Sequence, residues 1–392
     1  MIQYLNPMNM KKLSILITFL AATLLLSSCV GGAVGNLSWQ GFTTDIENNI
    51  VYLANGLHVY AIDLSNTLHS GDVKDPTPKF SQKWRFPSNP DNKVSFYAAP
   101  VLTEDGQLLA ASYDSQLYSL DPATGALNWA FDSSENGQTK LLTSPLVSNE
   151  KIFLPSSDYT LYALDLKGNL LWQYKTGNAL WATPVSDGQV VYQPSMDHHI
   201  YALNAESGDL VWKTDDLQAP IAGQPILSPE GILYVGTFNK ELLAIDTQNG
   251  SVLWKQPLQG WGWSGPVLLD GVLYFGDLEG YIYAKNAADG SDVWQPSQPP
   301  AQSGQKTSER AIPERPLVLD GTVYYASEIG SVYAADAQAG NPKPFFTLPG
   351  SKLFTGPQSA GELILLASFG TRQPLIAVDS TGGVVAEFVP PK

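Results

Sequence analysis

The chain has 392 residues, 44% hydrophobic, 11% aromatic and 15% charged, which excludes a disordered polymer and suits a folded chain with a large core. Its formal net charge of −15 argues against nucleic acid or an anionic lipid surface as a partner. The single cysteine, Cys29, excludes an intrachain disulfide, so packing and hydrogen bonding alone must hold the fold.

Residues 1–28 have the form of an export signal. Met10-Lys11-Lys12 is basic, Leu13 to Leu26 is apolar and too short to span a bilayer, and Leu26-Ser27-Ser28-Cys29 is a small-residue cleavage site. The last four residues resemble the lipobox of bacterial lipoproteins, which makes Cys29 the lipidated first residue of the mature protein. Met1, Met8 and Met10 are each available as the start. Residues 29–38, CVGGAVGNLS, read as a flexible tether, and residues 39–392 as one β domain.

From there the chain repeats itself. The unit Pro184 to Trp212 holds two runs rich in Val, Ile, Tyr and Leu, bounded by turn residues at Asp187-Gly188, Met196-Asp197 and Ser207-Gly208, with a further strand approaching Trp212. The opening proline recurs as Pro100, Pro145, Pro184, Pro225, Pro266, Pro316 and Pro357, at intervals of 39 to 50 residues. A divergent copy without it lies first, at Ile50–Leu53 and Val59–Asp63.

Strands this short cannot bury two faces alone, so neighbours must stack, and a closed ring disposes of the apolar edges. The expected fold is all-β, an eight-bladed β-propeller, or seven-bladed if the first copy only completes the last blade. Either Val384–Phe388 or Asn36–Trp39 is expected to complete a blade begun by the other end. Ser65–Gln82, Pro87–Val94, Asp132–Lys140 and Pro296–Pro313 read as surface loops.

Most units end in Ala or Ser, one residue, then Asp or Asn, a turn with Gly, and Trp. Examples are Asp121, Gly125 and Trp129, then Asn204, Gly208 and Trp212. The carboxylate or amide accepts from turn amides, Gly takes a positive φ, and Trp covers a large flat surface. This tail resembles the tryptophan docking motif of the pyrroloquinoline-quinone-like (PQQ-like) β-propeller repeat family. The resemblance implies that Trp129, Trp172, Trp212, Trp254 and Trp294 dock between blades, with Trp84 serving the first unit after its long insertion. In the last two units Phe345-Phe346 and Phe388 stand where Trp is expected.

Quinoprotein dehydrogenases of this fold are implied to need Ca²⁺, a catalytic Asp and a disulfide between adjacent cysteines. This chain cannot form that disulfide, so the expectation is a protein that is not an enzyme and holds neither quinone nor metal. His198 and His199 project to opposite sides of a strand, a poor chelate. Three residues before each proline, the chain places Tyr97, Leu142, Trp181, Ala222, Trp263, Pro313 and Phe354, aromatic in alternate units. With Trp261 and the charged step Glu314-Arg315, they form a candidate surface for a partner or ligand near one mouth of the axial channel. Space filling between alternate blades is the competing account.

Two functions stay open. One is a lipid-anchored scaffold of the cell envelope that binds other envelope proteins, similar in architecture to propeller lipoproteins that serve a β-barrel assembly complex. It would sit on the periplasmic face of the outer membrane, or on the outer face of the cell membrane where no outer membrane exists. The other is a propeller that holds a small ligand such as a quinone.

Overall fold

A computed structural model describes residues 41–68, 77–134, 139–300 and 310–391. The signal segment, Cys29, the tether and Trp39 lie outside the described residues.

Each repeat folds into a four-stranded antiparallel meander. Six of these are separate sheets, and the first and last join along their outer edges into one eight-stranded sheet, which gives eight blades. Blade 4 shows the pattern. A short inner strand, Val185–Ser186, leads to Val190–Pro194, Ile200–Asn204 and the outer strand Leu210–Lys213. The middle strands read as continuous apolar runs because both their faces are covered by neighbouring blades, whereas the outer strand has exposed positions.

Local chemistry builds the turns. Asp187 Oδ1 accepts the amides of Gln189 and Val190 at 2.9 and 2.8 Å, and Asn204 Oδ1 accepts those of Glu206 and Ser207 at 2.9 and 3.0 Å. Gly208 takes φ 76°, a conformation that costs glycine little. A register shift follows Ala202, and equivalent shifts follow Ala61, Ser119, Ala163, Ala244 and Ala377. Such bulges bend and twist a strand, and here they aim the outer-strand Trp at the next blade.

The hydrophobic core is accordingly divided. Among the described residues there are eight buried clusters, each shared by two adjacent blades. Inter-blade packing, rather than a single centre, holds the ring.

Two expectations need correction. Val384–Phe388 closes blade 8 rather than blade 1, and Asn36–Trp39 lies outside the described residues: blade 1 runs from Gly41–Asp45 through Lys79–Phe86, and blade 8 from Gln358–Ala360 through Val384–Phe388. Closure comes instead from parallel pairing of Lys79 with Glu387. The Glu387 amide donates to Pro78 O at 3.0 Å, Lys79 Nζ makes an ion pair with the Glu387 carboxylate, and Gln358 Nε2 donates to Phe42 O at 2.8 Å. With blade 1 complete in itself, the seven-bladed alternative falls. The stretch Ser65–Gln82 is also more than a loop, because strands extend to Leu68 and resume at Lys79. Phe80 is buried at that joint, and this tertiary contact makes the segment a strand despite its polar neighbours.

Candidate functional site

The segments that enter blades 4 and 6, together with the second hairpin of blade 5, build an aromatic cluster. Phe238 stacks on Trp261 at 5.2 Å and on Trp263 at 5.5 Å between ring centroids. Trp181 leans on Trp263 at 6.3 Å. All four rings are partly exposed. Blade 5 contributes Ala222 between Trp181 and Trp263 in the column, which is why large residues on alternate blades can meet over a small one.

A backbone crossing fixes this cluster. A Cβ on Gly262 would lie 2.7 Å from Gly236 Cα, and one on Gly236 2.8 Å from Gly262 Cα. The Gly262 amide donates to Thr237 O at 3.0 Å, and the Leu278 amide to Trp261 O at 3.2 Å. Two glycines therefore let Trp261-Gly262-Trp263 lie against Gly236-Thr237-Phe238. Gly262→Ala is expected to break the stack and destabilise the protein by about 1–3 kcal/mol through overpacking. Near-ultraviolet circular dichroism reads this directly, and an unchanged aromatic spectrum would contradict the crossing.

The remaining aromatics of the column go elsewhere. Tyr97 packs on Tyr113 at 5.1 Å, and Phe354 on Phe369 at 5.9 Å, with Lys140 over the Tyr113 ring and Lys352 over that of Phe354. Only Trp181, Trp261 and Trp263 of the sequence candidates come together, and Phe238 joins them. Sequence reasoning missed Phe238 because it lies in a hairpin outside the column.

Around the axis, side chains of one blade bond to the backbone of a neighbouring blade. Ser144 Oγ donates to Ala99 O at 2.8 Å, Thr183 Oγ1 to Ser144 O at 3.0 Å and Ser264 Oγ to Glu314 O at 3.0 Å. Arg315 reaches from blade 7 past blade 6 and donates from Nη2 to Pro225 O of blade 5 at 2.8 Å. Gly265 leaves room for it, since a Cβ there would stand 2.6 Å from Arg315 Nε. The Glu314 and Arg315 side chains thus form no ion pair with each other. Burial pushes the Glu314 carboxyl up to about 7, against the nearby guanidinium, which lowers it.

Each of the six tryptophans places its indole N–H on a carbonyl of the following blade. Trp84 donates to Pro122 O at 2.9 Å, Trp129 to Leu166 O at 3.1 Å and Trp172 to Ala205 O at 3.2 Å. Trp212 donates to Thr247 O at 2.7 Å, Trp254 to Ala287 O at 3.2 Å and Trp294 to Ala337 O at 3.3 Å. The indole face lies on that blade's turn glycine: a Cβ on Gly125 would sit 2.6 Å from the Trp84 ring. In the last joints the backbone carbonyl of Phe345 lies against Gly382, and the Phe388 ring packs on Tyr60 at 5.4 Å.

A second repeated device escaped the sequence reading. Tyr118, Tyr162, Tyr201 and Tyr283 donate their hydroxyls to Asp114, Asp158, Asp197 and Asp277 at 2.6–2.7 Å. The spacing Asp-x-x-x-Tyr recurs in three of these units and was the available signal. Asp277 is buried, and desolvation pushes its carboxyl up although Tyr283 and three backbone amides donate to it.

A Ca²⁺-bound quinone does not fit the side chains present. Among the described residues no three His, Cys, Asp or Glu side chains are grouped to hold a metal ion. Arg315, the cation of the axial ring, is turned onto Pro225 O. His198 and His199 have separate partners, Asp216 at 3.3 Å and Thr214 O at 2.9 Å.

Eight four-stranded blades with a docked aromatic at each joint define a β-propeller of the PQQ-like repeat class. The family model described as "Outer membrane protein assembly factor BamB" matches residues 71–194 and 196–343, and the chain belongs to that family. It is 28% identical to BamB of Moranella endobia (strain PCIT) over 215 residues, 50% of this chain and 53% of that one. It is 24% identical to tetrathionate hydrolase of Acidithiobacillus ferrooxidans over 206 residues, 43% of this chain and 40% of that one. The matches thus span about half, or less, of these curated relatives. In fold it is similar to the crystal structure of BamB from Moraxella catarrhalis, with a TM-score of 0.60 and 19% identity, covering 84% of this chain and 96% of that one.

Proposed function

We propose that the protein is a non-enzymatic scaffold of the cell envelope, anchored by lipid on Cys29, that binds other envelope proteins in the assembly of outer-membrane β-barrels. Its place is the periplasmic face of the outer membrane, or the outer face of the cell membrane in a source without one. The observation that carries this reading is the cluster of Trp181, Phe238, Trp261 and Trp263. Rigid, partly exposed aromatics on a pinned backbone are the usual anchors of protein recognition. Membership of the family and the likeness to its BamB relatives support the same direction.

The test is purification of the lipidated protein from membranes in mild detergent, with mass spectrometry of what accompanies it. Recovery of a β-barrel insertase is expected. A Trp181→Ala, Trp263→Ala variant should lose it at least tenfold while keeping its far-ultraviolet spectrum, and Cys29→Ala should leave the membrane fraction. Recovery of the bare protein, or equal recovery by the double variant, would overturn the assignment of the mouth.

A further inference from the structure

Four blades give a tyrosine of the third strand a carboxylate. Tyr118, Tyr162 and Tyr201 donate to an Asp four residues earlier, and Tyr283 donates to Asp277, six residues earlier. Blade 7 keeps the tyrosine and loses both acids: Ile329 stands four residues before Tyr333, and Ser327 six. Glu328, between them, is paired with Lys352.

The result is a set of buried donors without an acceptor. Among the described residues, eight buried side-chain nitrogens or oxygens lack a hydrogen-bond partner, and four of them belong to this hairpin and the segments against it: Arg310 Nε, Ser327 Oγ, Tyr333 Oη and Ser351 Oγ. Ser327 and Tyr333 are each 1% exposed, and Ser351 5%. Backbone contacts hold them there. Ser327 pairs with Ser331 across the hairpin, the Glu328 amide donates to Ala311 O at 2.9 Å beside Arg310, and a Cβ on Gly330 would stand 3.2 Å from Ser351 Oγ. Burial pushes the Tyr333 hydroxyl up, whereas Ser331 and the charge of Arg310 lower it, so the guanidinium is within electrostatic reach. Ser331 Oγ is itself engaged with Thr347 Oγ1 at 3.4 Å.

Buried donors left without an acceptor are costly, and folded proteins rarely keep them so. A water would accept from them, but it brings two protons that need acceptors of their own and leaves the Arg310 charge unanswered. A carboxylate only accepts, through two oxygens, and carries the opposite charge. It is also the group that the equivalent tyrosines already hold.

We propose that the blade 7 hairpin binds a small free carboxylate, of formate or acetate size, between Tyr333, Ser327 and Arg310. The exchange of Asp for Ser removes little more than the carboxylate group itself, so the acid must be small. The site shares no residue with the aromatic mouth, and the two assignments fail separately.

The probe is formate. Thermal unfolding of the full chain in sodium formate, against sodium chloride at the same ionic strength, should show a midpoint about 2 °C higher. Tyr333→Phe and Arg310→Gln should each abolish that gain, while salt effects unrelated to the site act on all the proteins alike. Ile329→Asp, at a half-buried position, restores the Asp-x-x-x-Tyr spacing of blades 2 to 4. It should raise the midpoint in chloride and remove the response to formate. In a crystal grown in formate, a planar three-atom group should lie within hydrogen-bond distance of Tyr333 Oη. A formate response that survives Tyr333→Phe, or a lone water at Tyr333 Oη, would overturn the proposal. Equal midpoints of the wild type in the two salts would overturn it as well.

Discussion

Trp84→Ala is expected to lower the unfolding free energy by about 3–5 kcal/mol, the range for removing a buried large aromatic side chain. Trp84 is 8% exposed. Its indole joins blade 1 to blade 2 by stacking on the Gly125 backbone and by the hydrogen bond to Pro122 O at 2.9 Å, and it rests on the Tyr52 ring of its own blade at 5.9 Å. Alanine removes all three and leaves a slot between two blades that keep their own hydrogen bonds and so cannot collapse into it. Trp84→Phe should retain most of the buried area and lose chiefly the N–H bond, worth about 1 kcal/mol. Urea unfolding of the three proteins measures the differences. A loss below about 1 kcal/mol for alanine would remove Trp84 from the docking role.

Glu314 should make stability fall as pH rises. Its carboxyl ionises near 4.5 in the unfolded chain and is pushed up to about 7 in the folded one. Below the first value both states are protonated and no penalty exists. Between the two the unfolded state loses its proton first, so the folded state is disfavoured increasingly until both are ionised. At 1.36 kcal/mol per unit, the full penalty above pH 7 is about 3 kcal/mol. Glu314→Gln abolishes it, so the stability difference between variant and wild type should grow from pH 4.5 to 7 and then level off. Asp121, Asp165 and Asp379 are held below the usual carboxylate range by hydrogen bonds. They therefore act at lower pH and cancel in the comparison. A difference that stays flat across this window would show that Glu314 is not desolvated in the ring.

The repeat was legible because every unit must solve the same local problem. A turn needs Asp or Asn and a Gly at positive φ, and a strand covered on both faces needs an unbroken apolar run, so the period is written in residue types. What was not legible rests on contacts between distant residues. Lys79 and Glu387 meet only because the ring closes, and neither stands in a pattern that marks it. Gly236 and Gly262 look like ordinary strand and loop glycines until two backbones cross. The turn glycines were read for their φ alone, yet Gly125 and Gly208 are also the floor beneath Trp84 and Trp172. The column before each proline contains Trp181 and Trp263, which the fold brings together, but sequence position could not separate them from Tyr97 and Phe354, which pack within their own neighbourhoods.

Because each blade is a continuous stretch of chain, seven of the eight joints are spanned by a covalent connection and one is not. Between blades 1 and 8 the ring behaves as a split washer, held at its cut among the described residues by one strand pairing, one ion pair, the Gln358–Phe42 hydrogen bond and a hydrophobic cluster. Springing that cut unfolds no blade and exposes only a single inter-blade surface. The lowest-energy opening of this molecule is therefore a parting of its first and last blades, and the Lys79–Glu387 clasp sets how often the circle is broken.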